Sequence, residues 1–277
     1  MIQAKNSFAE GLVNIISHKA KHLAAVAIPI YKIVPNNTEI ASFAQCLKVL
    51  STYQIILVAP DSLEISWYQE YCKKYNITLK VERYADIYFA NINGYNKLLL
   101  SSLFYERFID YKYLLIYQLD AFVFEDKLRY WCHKGYDYIG APWPKNDWPY
   151  LSTVYAWLPK YIRWFYKKRI KRMNFVGNGG FSLRKTRKFY LLCILLHKHI
   201  LRWNSKEAQE DIFWSFFAGI FYPFYKVGHE EIASKFALER GAKHLFEMNN
   251  YTLPFGCHAW EKYDKEFWLS VFPKLNY

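Results

Sequence analysis

Residues able to do chemistry stand at four places in the 277-residue chain. In the stretch YKYLLIYQLDAFVFEDKL, residues 111–128, an apolar run climbs to Gln118 and then to a carboxylate, Asp120, before Phe122 and Phe124. An acid at the end of a buried strand either caps a turn or holds a metal ion. Glu125 and Asp126, just beyond, read as surface acids. Further on, Glu210 and Asp211 head the apolar string IFWSFF, where acids suit the positive end of a helix dipole. A late histidine, His258, lies in LPFGCHAW, and the run Gly177-Asn178-Gly179-Gly180 precedes FSLRK. Glycine admits close backbone approach to a ligand, and the same run also makes a plain tight turn.

The elements that must position these groups follow from the apolar pattern. LAAVAIPIY (23–31) reads as a buried strand, and NNTEIASFAQCLKVLS after it opens with cap residues and a first-turn Glu, which predicts a helix. YQIILVAP (53–60) and ITLKVERY (77–84) are further strands, with a helix between them over LEISWYQEYCKKYN. GYNKLLLSSLFYERF (94–108) predicts a third helix and residues 113–117 a fourth strand. YDYIGAPW (136–143) reads as a strand running into a Pro-bounded loop, and TRKFYLLCILLHKHILRW as one apolar helix. His197 and His199 in that helix read as packing or surface residues. Strands alternating with helices imply an α/β fold, a mostly parallel sheet with helices on both faces. Ligands then bind beyond the carboxyl ends of the strands, where Asp120 sits.

Composition narrows the function. A chain that is 53% hydrophobic is not disordered, and 20% aromatic content suits surfaces that handle sugars, bases or lipid interfaces as well as ordinary cores. A net charge of +13 attracts nucleic acid, anionic lipid or phosphorylated substrates. No zinc-finger spacing or RNP-like aromatic pattern accompanies it, so no specific nucleic acid is expected. The five cysteines, at 46, 72, 132, 193 and 257, form no CxxC pair and read as reduced thiols. The apolar runs near the N-terminus are too broken for a signal peptide or a spanning helix. The expected location is cytoplasmic, or peripheral on the inner face of the membrane.

Taken in order, these pieces resemble the GT-A glycosyltransferase fold: an acid motif of the Asp-x-Asp type, a Gly-containing strand, an acidic pair and a C-terminal His. The strings YQLDAFVF, YDYIGAPW, GNGGFSLRK, QEDIFW and PFGCHAW are similar to those of a little-characterised bacterial family of GT-A-like domains, over residues 23–262. The resemblance implies one GT-A-like, Rossmann-like domain over 1–277. It also implies a metal-dependent, inverting glycosyltransferase that moves a sugar from a nucleotide-sugar donor, a UDP-sugar, to a bacterial surface glycan or lipid-linked acceptor.

By the same resemblance Asp120 and His258 hold Mn²⁺ or Mg²⁺, which stabilises the leaving diphosphate. Hard cations want oxygen ligands, and manganese also accepts an imidazole. Gln118 departs from the pattern, standing where the first acid of Asp-x-Asp belongs. Asp211 is the implied base and Glu210 a helper that orients acceptor hydroxyls. Gly179 and Gly180 are expected to let donor or acceptor approach. Asn96 and Lys97 are candidates for the nucleotide or its phosphates, and Pro29 and Tyr31 for base and ribose.

Residues 151–175 mix Trp157, Tyr161, Trp164 and Phe165 with Arg163, Lys167, Lys168, Arg169, Lys171 and Arg172. This is either a basic amphipathic segment for an anionic membrane surface or an insertion that shapes an acceptor cleft. The alternative to an enzyme is a non-catalytic, basic, aromatic-rich module that binds nucleic acid or anionic glycan.

Overall fold

The computed structural model of the chain describes residues 18–143, 176–222 and 224–272. The expected basic-aromatic insertion, 151–175, lies outside the described residues.

A six-stranded sheet forms the centre, in the order β3-β2-β1-β4-β9-β6. Its strands are β1 (His22–Pro29), β2 (Gln54–Pro60), β3 (Lys80–Tyr84), β4 (Tyr111–Tyr117), β6 (Tyr138–Ile139) and β9 (Phe181–Lys185). β1 pairs in parallel with β2 and β4, and β2 with β3, whereas β9 runs antiparallel to both β4 and β6. The mostly parallel expectation therefore holds, with one reversed strand.

Both faces of this sheet are covered, so its strands are near-continuous apolar runs rather than alternating ones. On β1, Ala24, Val26 and Ile28 enter one core cluster while Ala25 and Ala27 enter the other. β4 divides likewise, with Tyr113, Leu115 and Tyr117 on one side and Leu114 and Ile116 on the other. The helix Asn37–Val49 starts as its sequence predicts: Asn36 accepts from the Glu39 amide, and the Glu39 carboxylate accepts from the Asn36 amide.

Three expected continuous elements are broken. The third helix is two, Ile92–Leu99 and Ser102–Glu106, because Ser101 caps the second by accepting from the Phe104 amide. The long apolar helix splits into Thr186–Leu195 and His197–Asn204. The strand over YDYIGAPW divides at Gly140 between β6 and β7 (Ala141–Pro142), and β7 pairs with β8 (Val176–Gly177) in a separate ribbon. A Cβ on Gly140 would overlap the Gly177 carbonyl, which explains why glycine makes the crossing. All five cysteines are free and buried. No helix among the described residues is long and apolar enough to cross a membrane.

A small second sheet, β10-β11-β5, matters most for the site. It joins β5 (Ala121–Val123), β10 (Ala237–Leu238) and β11 (Gly256–His258), over a cluster containing Phe122, Trp260, Trp268 and Phe272.

Candidate active site

Three backbone relationships assemble the site. After β4 the chain turns, with the Ala121 amide donating to the Gln118 carbonyl, so Gln118 and Asp120 project from the carboxyl end of the sheet. β11 then pairs antiparallel with β5, His258 opposite Ala121, and the Ala259 amide donates to the Asp120 carbonyl at 2.9 Å. Finally the Gln118 amide donates to the Gly180 carbonyl at 2.8 Å, drawing in the turn that precedes β9. Residues 118, 180 and 258 meet although 140 positions separate the first from the last.

The side chains converge accordingly. His258 Nε2 lies 3.1 Å from Asp120 Oδ1 and 3.2 Å from Gln118 Oε1. Its Nδ1 lies 3.2 Å from Glu239 Oε1, which the parallel β10–β11 register brings alongside. Burial works against a charged ring, but the Asp120 and Glu239 carboxylates outweigh it and raise His258 to about 10. Burial likewise opposes ionisation of Asp120, yet the neighbouring His258 leaves its carboxyl below the ordinary value.

These residues fit a divalent cation. One carboxylate oxygen, one amide oxygen and one imidazole nitrogen form the donor set, and such a mixture of oxygen and imidazole suits manganese. At 3.1 and 3.2 Å from the imidazole nitrogen, the Asp120 and Gln118 oxygens are near enough that all three atoms could serve one ion. Glu239 on the far nitrogen fixes the ring's orientation, as carboxylates behind metal-binding imidazoles do. Among the described residues no group of three or more His, Cys, Asp or Glu could hold a metal ion by itself. Gln118 and groups from a bound donor would have to complete the shell.

Beside this constellation opens a cleft of about 460 Å³, walled by Pro29, Tyr31, Asn91, Tyr95, Gln118 and Asp120 among others. Pro29 and Tyr31, the candidates for base and ribose, are both on its walls. Lys32 also lines it, paired with Glu39 at 2.8 Å. Tyr95 lines the cleft with Gln118 and lies near enough to feel the charges of Arg184, Glu210 and Asp120, although burial dominates and pushes its hydroxyl pKa up.

The acidic pair divides its work. Asp211 Oδ2 accepts from the Gly179 amide at 3.3 Å and Oδ1 from the Ile212 amide at 2.8 Å. Burial, then the charges of Glu210 and Glu239, push its pKa up to about 7 against those two hydrogen bonds. Glu210 turns inward, 2% exposed, with Oε1 2.7 Å from Arg184 Nη2 and Oε2 3.0 Å from Nη1. The expectation that Glu210 orients acceptor hydroxyls is corrected by this geometry, since both oxygens are spent on a buried guanidinium. A solvated helix start is excluded for the same reason.

The glycine turn works differently from the expectation too. Its left-handed residue is Asn178 (φ 79°), whose Oδ1 accepts from the Gly180 and Phe181 amides; Asn tolerates that region. A Cβ on Gly179 would overlap Glu210 Oε1, and one on Gly180 would overlap His258 Nε2. The space both glycines leave is filled by protein, not held open for a sugar. Asn96 and Lys97 also fall elsewhere. Asn96 is buried and accepts from the Glu210 amide at 3.4 Å, while Lys97 is exposed and absent from the cleft walls. Each residue turns a helix by about 100°, so one step past Tyr95 faces away.

Glu239, Arg184 and Lys32 carried no signal in the sequence. Glu239 sits in ALERG and Arg184 in SLRK, strings of ordinary surface appearance.

The sheet order, the reversed strand and the site at the carboxyl ends define a GT-A glycosyltransferase fold. Similarity to solved structures agrees. The galactosyltransferase LgtC, in complex with donor and acceptor sugar analogs, matches with a TM-score of 0.57 at 10% identity, over 91% of this chain and 94% of that one. Core-mannan synthase A (CmsA/Ktr4) from Aspergillus fumigatus, in an Mn/GDP form, matches with a TM-score of 0.50 at 11% identity, over 78% and 74%. The glycosyltransferase GlyE of Streptococcus pneumoniae TIGR4 gives 0.46 at 12% identity over 86% of this chain, which spans about half (54%) of its length. At these identities the likenesses to LgtC and core-mannan synthase A speak to fold alone. No curated protein matches the chain.

Residues 78–258, more than half of the chain, match the family model described as Protein of unknown function (DUF5672). The chain belongs to that family.

Proposed function

We propose that this protein is a metal-dependent, inverting glycosyltransferase that moves a sugar from a nucleotide-sugar donor, a UDP-sugar, to a surface glycan or lipid-linked acceptor. One observation carries the reading: Asp120 Oδ1, Gln118 Oε1 and His258 Nε2 converge at the wall of a cleft large enough for a nucleotide. The Mn/GDP form of core-mannan synthase A and the donor-analog complex of LgtC support it by analogy of fold.

Asp120 and His258 would hold Mn²⁺ or Mg²⁺, with Gln118 as a neutral third donor. The ion would supply charge stabilisation for the departing diphosphate. Glu239 keeps the His258 ring aimed. Pro29 and Tyr31 offer apolar and aromatic surface to base and ribose, and Lys32 a cation to phosphate. Asp211 takes the proton from the acceptor hydroxyl as that oxygen attacks the anomeric carbon. The new C–O bond forms on the face opposite the breaking bond to diphosphate, which inverts the centre. A base with a pKa near 7 is half-ionised at neutral pH, which matches this task.

A donor-hydrolysis panel over common nucleotide sugars, with and without chelator, tests the proposal. Turnover of at least one donor, abolished by chelation and restored by Mn²⁺, is expected. Nuclear magnetic resonance of the product's anomeric proton tests inversion, and retained configuration would remove the base role from Asp211.

A further inference from the structure

A second cavity, about 550 Å³, opens at the opposite end of the central sheet. Its walls include the residues preceding β1, the start of β4, the end of β9 and the helix Thr186–Leu195. Strands β1 and β4 rise roughly 3.3 Å per residue over their length, so about 20 Å separates this cavity from the donor cleft. Nothing in the proposed transfer uses it.

Among the described residues its lining is one-signed: Lys19, Lys112, Lys185, Arg187 and Lys188 contribute to it, and no described Asp or Glu does. The nearest acids only partly offset these cations. Asp137 is buried, accepts from the Lys226 amide, and faces Lys185 at 3.1 Å and Lys188 at 3.6 Å, one carboxylate against two ammonium groups. Asp110 is taken by His18 and Lys21.

The two central lysines are also held in place. Lys188 lies 4.8 Å from the Tyr222 ring centroid and Lys185 5.9 Å from that of Tyr113, contacts that cost side-chain freedom before any ligand arrives. The single buried Asp137 carboxylate holds both lysines at the cavity wall while matching only one of their two charges, and cations fixed in this way preorganise a site for an anion. Beneath the cations, Ile109, Leu191 and Leu195 supply an apolar floor, and Leu195 is 67% exposed.

We infer that this cavity binds a phosphate group, with Lys112, Lys185, Arg187 and Lys188 as donors and the leucine floor accommodating an apolar portion of the ligand. The phosphate belongs either to a free phosphorylated molecule or to a lipid headgroup, and the experiment separates the two. The inference stands independently of the transferase reading.

The test uses the full chain and the double variant Lys112→Gln/Lys188→Gln. Lys185 remains on Asp137 in that variant, so the buried carboxylate keeps a partner, and a thermal melt verifies folding. A control, Lys48→Gln/Lys243→Gln, removes the same charge from exposed positions elsewhere. Inorganic phosphate is titrated calorimetrically, and vesicles of phosphatidylglycerol or phosphatidylcholine are pelleted at about 0.15 M salt, where surface charges are screened beyond ~8 Å. Charge-assisted hydrogen bonds lost at two donors should weaken phosphate binding about tenfold or more, with the control unchanged. Loss of phosphatidylglycerol pelleting in the same variant assigns the phosphate to a headgroup. Phosphate binding without pelleting assigns it to a free molecule. Absence of both, or equal loss in the control, overturns the inference.

Discussion

Glu239 Oε1 and His258 Nδ1 lie 3.2 Å apart, and the other nitrogen of that ring faces Asp120. In the proposed metal site this contact would make Glu239 a determinant of cation binding that never touches the cation. Glu239→Gln should weaken Mn²⁺ affinity by about 10–100-fold, while kcat at saturating Mn²⁺ stays near wild type. Activity measured as a function of Mn²⁺ separates the two effects. A lowered kcat with unchanged Mn²⁺ dependence would give Glu239 another role.

Gly180 sits so close to His258 that no larger residue fits without moving the imidazole. Its φ is not in the left-handed range, so the penalty for alanine is steric only. Gly180→Ala should lose most of its Mn²⁺-dependent turnover while unfolding at a denaturant midpoint only modestly lowered. Overpacking of this kind costs about 1–3 kcal/mol. Isothermal denaturation and turnover on the same sample check both parts.

Arg184 and Glu210 form a buried ion pair beneath the turn, and Arg184 also donates to the Tyr105 hydroxyl at 2.9 Å and to the Gly179 carbonyl at 3.3 Å. Breaking it from one side leaves an uncompensated charge in the core. Arg184→Met should therefore destabilise the fold by about 3–5 kcal/mol. The double variant Arg184→Met/Glu210→Leu should recover much of that loss, and urea denaturation of the three proteins reads the difference. Because Asp211 follows Glu210 and takes the Gly179 amide, the double variant should still turn over poorly, having lost the clamp on the proposed base.

In the proposed mechanism Asp211 would supply the pH dependence of turnover. Its pKa near 7 lies above the ordinary aspartate value because of burial and the facing charges of Glu210 and Glu239. Turnover should rise about tenfold per pH unit below pH 7 and level off above it, since only the ionised form accepts a proton. Asp211→Asn should lose that limb and about 10²–10⁴ in rate. Stability moves the other way. The folded state holds a proton that the unfolded chain releases near pH 4, so this group's contribution falls as pH rises from about 4 to 7. At pH 8 the neutral Asp211→Asn protein should be the more stable, by up to about 4 kcal/mol.

Much of this architecture was legible in the sequence. The apolar runs of β1, β2 and β4 and the Asn36–Glu39 capping box are local signals, and the structure bears them out. What escaped depends on partners far along the chain. Ser101 could be read as another helical residue until its cap is seen, and Gly140 splits a strand only because the Gly177 carbonyl presses against it. Glu210 reads as a helper for acceptor hydroxyls because Arg184, its partner, lies 26 positions away on a strand whose reversed direction no local pattern announces. Glu239 reaches His258 only through the pairing of two short strands. The order of motifs singles out Asp120 and His258, which the structure brings within 3.1 Å of each other, and the departure at Gln118 puts an amide oxygen 3.2 Å from the same imidazole.

Mn²⁺ binding, followed by electron paramagnetic resonance in the presence of UDP, addresses the central claim most directly. The wild-type protein should sequester Mn²⁺ in a ternary complex, and Asp120→Asn and His258→Ala, both still folded, should leave the ion free in solution at the same concentrations. Equal Mn²⁺ binding by all three proteins would contradict a cation held between the end of the fourth strand and the late histidine.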